Sequence, residues 1–184
     1  MAIHAVIFDL GGVLLEIDWE QYEEDKRQGM LIANLWPYEK LNAVLTQFLV
    51  TLRPRYKVAI LSNGGSREAM NRKFRLNELV DLQVFDGEEG VAKPDARIYH
   101  QTLARLGVEP GEAVFVDDTE SNVDAAHRLG IHAIHFKNTA QAITEIQTVL
   151  QRMEWFVGSI GCAIKFDSVG QWHSGEKMHA NYPG

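Results

Sequence analysis

Five short, mostly apolar runs constrain what this chain can fold into. They are Ile3 to Phe8, Lys57-Val-Ala-Ile-Leu61, Leu82-Gln-Val-Phe85, Ala113-Val-Phe-Val116 and Ile131 to Phe136. Such runs, without strict polar alternation, read as strands covered on both faces. Helical periodicity fills the gaps between them. Leu41, Val44, Leu45, Phe48 and Leu52 recur at helical spacing over about 38–53, with Pro54 as a stop. A helix is expected from Arg67 to about Arg75, and Asp86 to Gly90 reads as a loop. Asp95 to Leu106 places Ile98, Tyr99, Thr102, Leu103 and Leu106 on one face, with Gly107 as its stop. Glu120 to Leu129 is a further helix, closed by Gly130, and Asn138 with Gln141 resembles a capping box for a last helix over about 139–152. Strands alternating with helices imply right-handed crossovers and a mainly parallel sheet. The expected fold is α/β, a three-layer Rossmann-like arrangement with helices on both faces. Ligands of such sheets bind beyond the carboxyl ends of the strands.

A length of 184 residues suits one domain, and 46% hydrophobic residues suffice for a core. Residues 1–152 hold the periodic pattern, whereas 153–184 form an atypical glycine-containing tail to which no catalytic role is assigned. The net charge of -7 disfavours nucleic acid as a partner. No run approaches the roughly 18 apolar residues of a membrane span. The N-terminus lacks the basic start and cleavage site of a signal peptide. Cys162 stands alone, which excludes an internal disulfide and fits a cytoplasmic setting.

Polar groups gather where the strands end. Asp9 follows the first strand, Ser62 the second, and Asp117-Asp118 the run beginning at Ala113. Parallel strands place these on one edge. Lys93, in Gly90-Val-Ala-Lys93-Pro94-Asp95, lies just before a helix and can reach the same edge. Each residue has an ordinary structural role when taken singly. Asp9 before Gly11-Gly12 fits a turn, Ser62-Asn63-Gly64 a turn and helix cap, Lys93 a solvated loop, and Asp117-Asp118 the cap of the next helix. Together they put three carboxylates, a hydroxyl and an ammonium in one place. Crowded carboxylates call for a cation, and oxygen-only ligands suit Mg²⁺. His127, His132 and His135 read as structural.

The motifs around these residues resemble the haloacid dehalogenase-like hydrolase superfamily. Phe8-Asp9-Leu10-Gly11-Gly12-Val13-Leu14 is similar to its first motif and Leu61-Ser62-Asn63 to its second. Lys93-Pro94-Asp95 with Ile98-Tyr99 is similar to the third, and Phe115-Val116-Asp117-Asp118-Thr119 onward through Asn122-Val123 to the fourth. The resemblance implies a phosphatase acting on a small phosphorylated metabolite, as monomer or homodimer. It gives Asp9 the role of nucleophile, forming an aspartyl-phosphate. It makes Asp9, the Gly11 carbonyl, Asp117 and Asp118 ligands of Mg²⁺. Ser62 and the Asn63 amide would hold the phosphoryl oxygens, and Lys93 would neutralise charge on nucleophile and phosphate.

Two departures from the family pattern stand out. The position two residues after the nucleophile, usually an aspartate serving as acid and base, is Gly11. Glu16, Asp18 or water are the candidate substitutes. Relatives also insert a helical cap between the first and second motifs. Here Asp9 and Ser62 are only 53 positions apart, and about 19–37 remains as space for it. That is room for one or two short helices at roughly 10–14 residues each, so the cap is vestigial or absent. Two further readings stand beside the phosphatase: a metal-independent haloacid dehalogenase, and a catalytically feeble binding or scaffold protein.

Overall fold

A computed structural model of the protein describes residues 2–158, 164–166 and 172–174. Strand β1 (Ala5–Phe8) is buried throughout. Strand β2 (Leu15–Ile17), helix α1 (Trp19–Arg27), a single 3-10 turn at Trp36–Tyr38 and strand β3 (Glu39–Leu41) follow. Next come α2 (Ala43–Leu52), β4 (Lys57–Ser62), α3 (Arg67–Phe74), α4 (Leu76–Leu79), β5 (Leu82–Phe85) and α5 (Asp86–Glu89). The chain continues through α6 (Ala96–Leu106), β6 (Ala113–Asp117), α7 (Glu120–Arg128), β7 (His132–His135) and α8 (Thr139–Gly158). Strands β8 (Ile164–Phe166) and β9 (Trp172–Ser174) pair antiparallel. The rest of the stretch expected as a tail lies outside the described residues.

Five strands form one parallel sheet in the order β5-β4-β1-β6-β7. Side chains alternate between its faces. Val6, Phe8, Val58, Ile60, Val114 and Val116 pack with Leu45 and Leu49 of α2, Leu76 of α4 and Ile146 of α8. Ala5, Ile7, Ala59, Leu61 and Phe115 pack with Ile98 and Leu103 of α6 and Ala126 of α7 on the other face. Both faces are therefore covered, which explains the near-continuous apolar runs. The α/β fold with helices on both faces agrees with the sequence.

The connections reverse direction across the sheet at the β1/β6 boundary, since β4 and β5 extend one way and β6 and β7 the other. A crevice opens at such a switch point. Register sharpens this: Phe8 lies opposite Val116, and the Asp9 N–H donates to the Val116 carbonyl at 2.8 Å. Asp9 and Asp117 thus leave neighbouring strands side by side.

Several boundaries differ from expectation. Helix α2 begins at Ala43 rather than 38, because residues 39–41 pair antiparallel with β2 and the Asn42 side chain caps the helix by accepting from the Leu45 N–H. The expected loop at 86–90 is a single helical turn closed by Gly90 at φ 66. Gln141 does not close a full capping box. Asn138 accepts from the Gln141 N–H, but the Gln141 side chain accepts from the Lys137 N–H instead of its own cap residue. Helix α8 runs to Gly158 rather than 152. The insert between β1 and β4 carries one helix over 19–37, the nine-residue α1, and α1 buries no residue. Among the described residues no helix is long and apolar enough to cross a membrane.

Candidate active site

Each functional side chain is delivered by the end of a strand or the start of a helix. Asp9 extends β1 by one residue, and Asp117 closes β6. The next residue, Asp118, is exposed. Ser62 ends β4 and is buried. Lys93 comes from the segment between α5 and α6, which Asp95 ends by capping α6 through the Arg97 N–H. The sequence-derived set therefore meets at one edge of the sheet.

Lys93 is the centre of the cluster. Its Nζ donates to Asp9 Oδ1 at 2.6 Å and to Asp117 Oδ2 at 2.7 Å, with the side chain only 1% exposed. The ammonium also lies 5.5 Å from the centre of the Phe115 ring, which forms its floor. One ligand oxygen from each of Asp9, Asp117 and Asp118 lies within 4.8 Å of the others. Three ionised carboxylates against one ammonium leave an excess of two negative charges. An oxygen-only, acidic donor set of this kind suits the hard cation Mg²⁺.

Burial pushes the Asp9 carboxyl up from 3.8 to about 6; the Lys93 ammonium opposes this and the Asp117 charge adds to it. Asp9 is consequently ionised near neutrality but weakly solvated, a state that suits a nucleophile. Asp117 is held more firmly. Its Oδ1 accepts from the Thr119 N–H at 2.8 Å, and Asn122 Nδ2 donates to both of its oxygens at 3.1 and 3.2 Å. The Asn122 carbonyl in turn accepts from the buried Tyr99 hydroxyl at 3.0 Å. Burial, with the Asp117 and Asp9 charges, raises the Tyr99 phenol and keeps it a donor.

The loop after β4 has a different economy. Among the described residues Ser62 Oγ makes only a long 3.4 Å contact to the Gly64 carbonyl. Asp86 braces the loop by accepting from the Gly64 and Gly87 N–H groups. The Asn63 side chain is engaged with the Lys93 main chain. Any phosphoryl contact by Asn63 is therefore left to its main-chain N–H.

Gly11 stands outside the left-handed region, and a Cβ added there would have nothing within 4 Å. Gly12 is the opposite case: it sits at φ 76, and a Cβ there would run into the Asp118 carboxylate, so glycine suits both the backbone and that carboxylate's position. Of the two acids considered as substitutes for the missing aspartate, Asp18 caps α1 and pairs with Lys40 at 3.4 Å, while Glu16 lies 3.9 Å from the same lysine. The cap bond from Gln21, with Lys40, holds the Asp18 carboxyl below its ordinary range. Asp18 is thus ionised near neutrality and is no proton donor there.

Sequence reasoning found the charged groups but gave no roles to Asp86, Tyr99 or Asn122. Asn122 and Tyr99 lie within the quoted motifs, and Tyr99 stood on the expected inward face of its helix. A buried amide on an apolar face was the available signal.

Comparison with known proteins agrees with this geometry. A family model described as haloacid dehalogenase-like hydrolase matches residues 18–130. Acyl-CoA dehydrogenase family member 10 of Mus musculus is 35% identical over 114 residues, covering 58% of this chain and 10% of that protein. A phosphorylated carbohydrates phosphatase of Thermotoga maritima is 36% identical over 101 residues, covering 52% of this chain and 47% of that protein. The chain thus spans less than half the length of either relative. A crystal structure of a HAD family enzyme from Bacteroides thetaiotaomicron, in complex with magnesium and inorganic phosphate, has a TM-score of 0.59 at 22% identity. The match covers 74% of this chain and 95% of that one, and it shows the shared fold.

Proposed function

This chain belongs to the haloacid dehalogenase-like hydrolase family, and on that premise we propose that it is a Mg²⁺-dependent phosphomonoester hydrolase. The proposed substrate is a small phosphorylated metabolite, a class in keeping with the name of the Thermotoga relative. The observation that carries the reading is the buried Lys93 ammonium bridging Asp9 and Asp117, with Asp118 beside them. Dehalogenation needs a nucleophilic carboxylate but gives no work to the paired aspartates.

Asp9 attacks phosphorus with one carboxylate oxygen, the bond to the leaving oxygen breaks, and that oxygen departs with the electron pair. Water then attacks phosphorus of the aspartyl-phosphate, releasing phosphate and restoring Asp9. Ser62 Oγ and the Asn63 main-chain N–H donate to the phosphoryl oxygens. Lys93 holds Asp9 in place and offsets charge on the transferring group. Asp9, the Gly11 carbonyl, Asp117 and Asp118 would hold Mg²⁺, which supplies neutralising charge to nucleophile and phosphoryl group.

The test is hydrolysis of p-nitrophenyl phosphate by the purified chain. Turnover is expected with Mg²⁺, and is expected to vanish with a chelator or in Asp9→Asn, whose amide cannot form the covalent intermediate. Halide release from a 2-haloacid without metal would replace this reading with the dehalogenase. Binding of phosphate esters without turnover would replace it with a binding protein.

A further inference from the structure

The Asn63 side chain grips Lys93 by its main chain on both sides. Asn63 Nδ2 donates to the Lys93 carbonyl at 2.8 Å, and Asn63 Oδ1 accepts from the Lys93 N–H at 2.9 Å. The two residues are 30 positions apart and belong to separate loops, one leaving β4 and one joining α5 to α6. Exchange of both an N–H and a carbonyl bond with a single residue is how a neighbouring strand fixes its partner. Here one side chain does this.

The loop around Lys93 needs such an anchor. Among the described residues its other main-chain bonds are local, from the Gly90 N–H to Asp86 and from the Asp95 N–H to Ala92. Pro94 has no N–H to offer. Yet the far end of the Lys93 side chain must sit between two carboxylates, at 2.6 and 2.7 Å. A lysine stem has several rotatable bonds, so the ammonium keeps that place only if its main chain is also fixed. We infer that the Asn63 side chain is a positioning residue: it fixes the Lys93 main chain so that the ammonium bridges Asp9 and Asp117, and it takes no direct part in holding the phosphoryl group. This role rests on the phosphatase reading of the same site.

The experiment is a double-mutant cycle in the full chain with p-nitrophenyl phosphate and Mg²⁺, joined to amide hydrogen exchange. Asn63→Ala is expected to lower kcat about 10- to 100-fold, because small misplacements of a charge-stabilising group cost that much. In a Lys93→Met background Asn63→Ala is expected to leave the inhibition constant for inorganic phosphate within about 3-fold, since the main-chain N–H remains. In that background the same change is expected to move kcat by less than about 2-fold, because the group being positioned is gone. Independently of turnover, the Lys93 amide is expected to exchange about 10-fold faster in Asn63→Ala, the scale of one lost hydrogen bond. Amides of β1, β4 and β6 are expected to keep their rates. A weakening of phosphate inhibition by Asn63→Ala in the Lys93→Met background, additive losses in the cycle, or an unchanged Lys93 exchange rate would overturn the assignment. A parent chain without phosphate-ester turnover would instead remove the phosphatase reading, and the exchange measurement would still decide whether Asn63 holds Lys93.

Discussion

At the residue scale, the site holds its nucleophile at a cost to stability. Asp9 has a folded-state pKa of about 6 against 3.8 for an ordinary aspartate, mainly through burial. A raised carboxyl contributes stability below about pH 4, and loses it as pH climbs through about 6. That difference corresponds to about 3 kcal/mol at most. Melting of the metal-free protein in chelator is therefore expected to show declining stability between about pH 4 and 6. Asp9→Asn should remove that decline and be the more stable protein at pH 7; equal stability at pH 7 would contradict the burial argument. Gly11 offers a second expectation. Its φ lies outside the left-handed region and its Cβ direction is open, so Gly11→Asp brings no backbone strain. A carboxyl there can protonate an alkoxide leaving group, which p-nitrophenolate does not need. Comparative kinetics should show alkyl phosphate hydrolysis rising by up to about 10²-fold, and p-nitrophenyl phosphate hydrolysis rising less. An equal response to both substrates would place the proton elsewhere.

Among the elements, the insert and the sheet are differently tied to the core. The β1 residues are 0–2% exposed, and fully burying a side chain such as Val6, Ile7 or Phe8 is worth about 1.5–3 kcal/mol. Helix α1 has no buried residue. It meets the body through an edge-on contact of Tyr22 with Tyr38 and a hydrogen bond from the Tyr38 hydroxyl to Asp25 at 2.9 Å. A nine-residue helix has little stability of its own, so its Asp18 cap matters locally. Asp18→Ala is expected to speed tryptic cleavage at Lys26 and Arg27 several-fold, while the melting temperature stays within about 1 °C. A large loss of melting temperature would show that α1 is integral to the core. The sequence had left room for one or two helices here and had extended the following helix back to 38. Pairing of residues 39–41 with β2 decided otherwise, because a three-residue strand carries no period that can be read from one segment alone.

For the whole molecule, the charge pattern predicts a metal-linked stability. The chain carries a net charge of -7, and three of its carboxylates meet at one point. Mg²⁺ at about 100 times its Kd is expected to add about 2.7 kcal/mol, or roughly 5–10 °C in Tm for a chain of this size. Chelator should reverse the shift and Asp118→Asn should reduce it; a Tm insensitive to Mg²⁺ would argue against a metal at this cluster. Much of this architecture was legible in the residues themselves. Apolar runs fixed the strands, since burial on both faces favours apolar side chains at nearly every position. Helical spacing fixed α6, whose five expected inward residues are its buried ones. The order of Asp9, Ser62, Lys93 and Asp117-Asp118 pointed to one edge of a parallel sheet. Partner choice was a different matter. That Asn63 would hold Lys93, that Asn122 would brace Asp117, and that Lys40 would draw Glu16 and Asp18 depended on tertiary placement. Periodicity reports which side of an element a residue faces, because that is a local property of the backbone. A hydrogen bond between residues 30 positions apart depends on where two separate loops come to rest, and only the assembled sheet sets that distance.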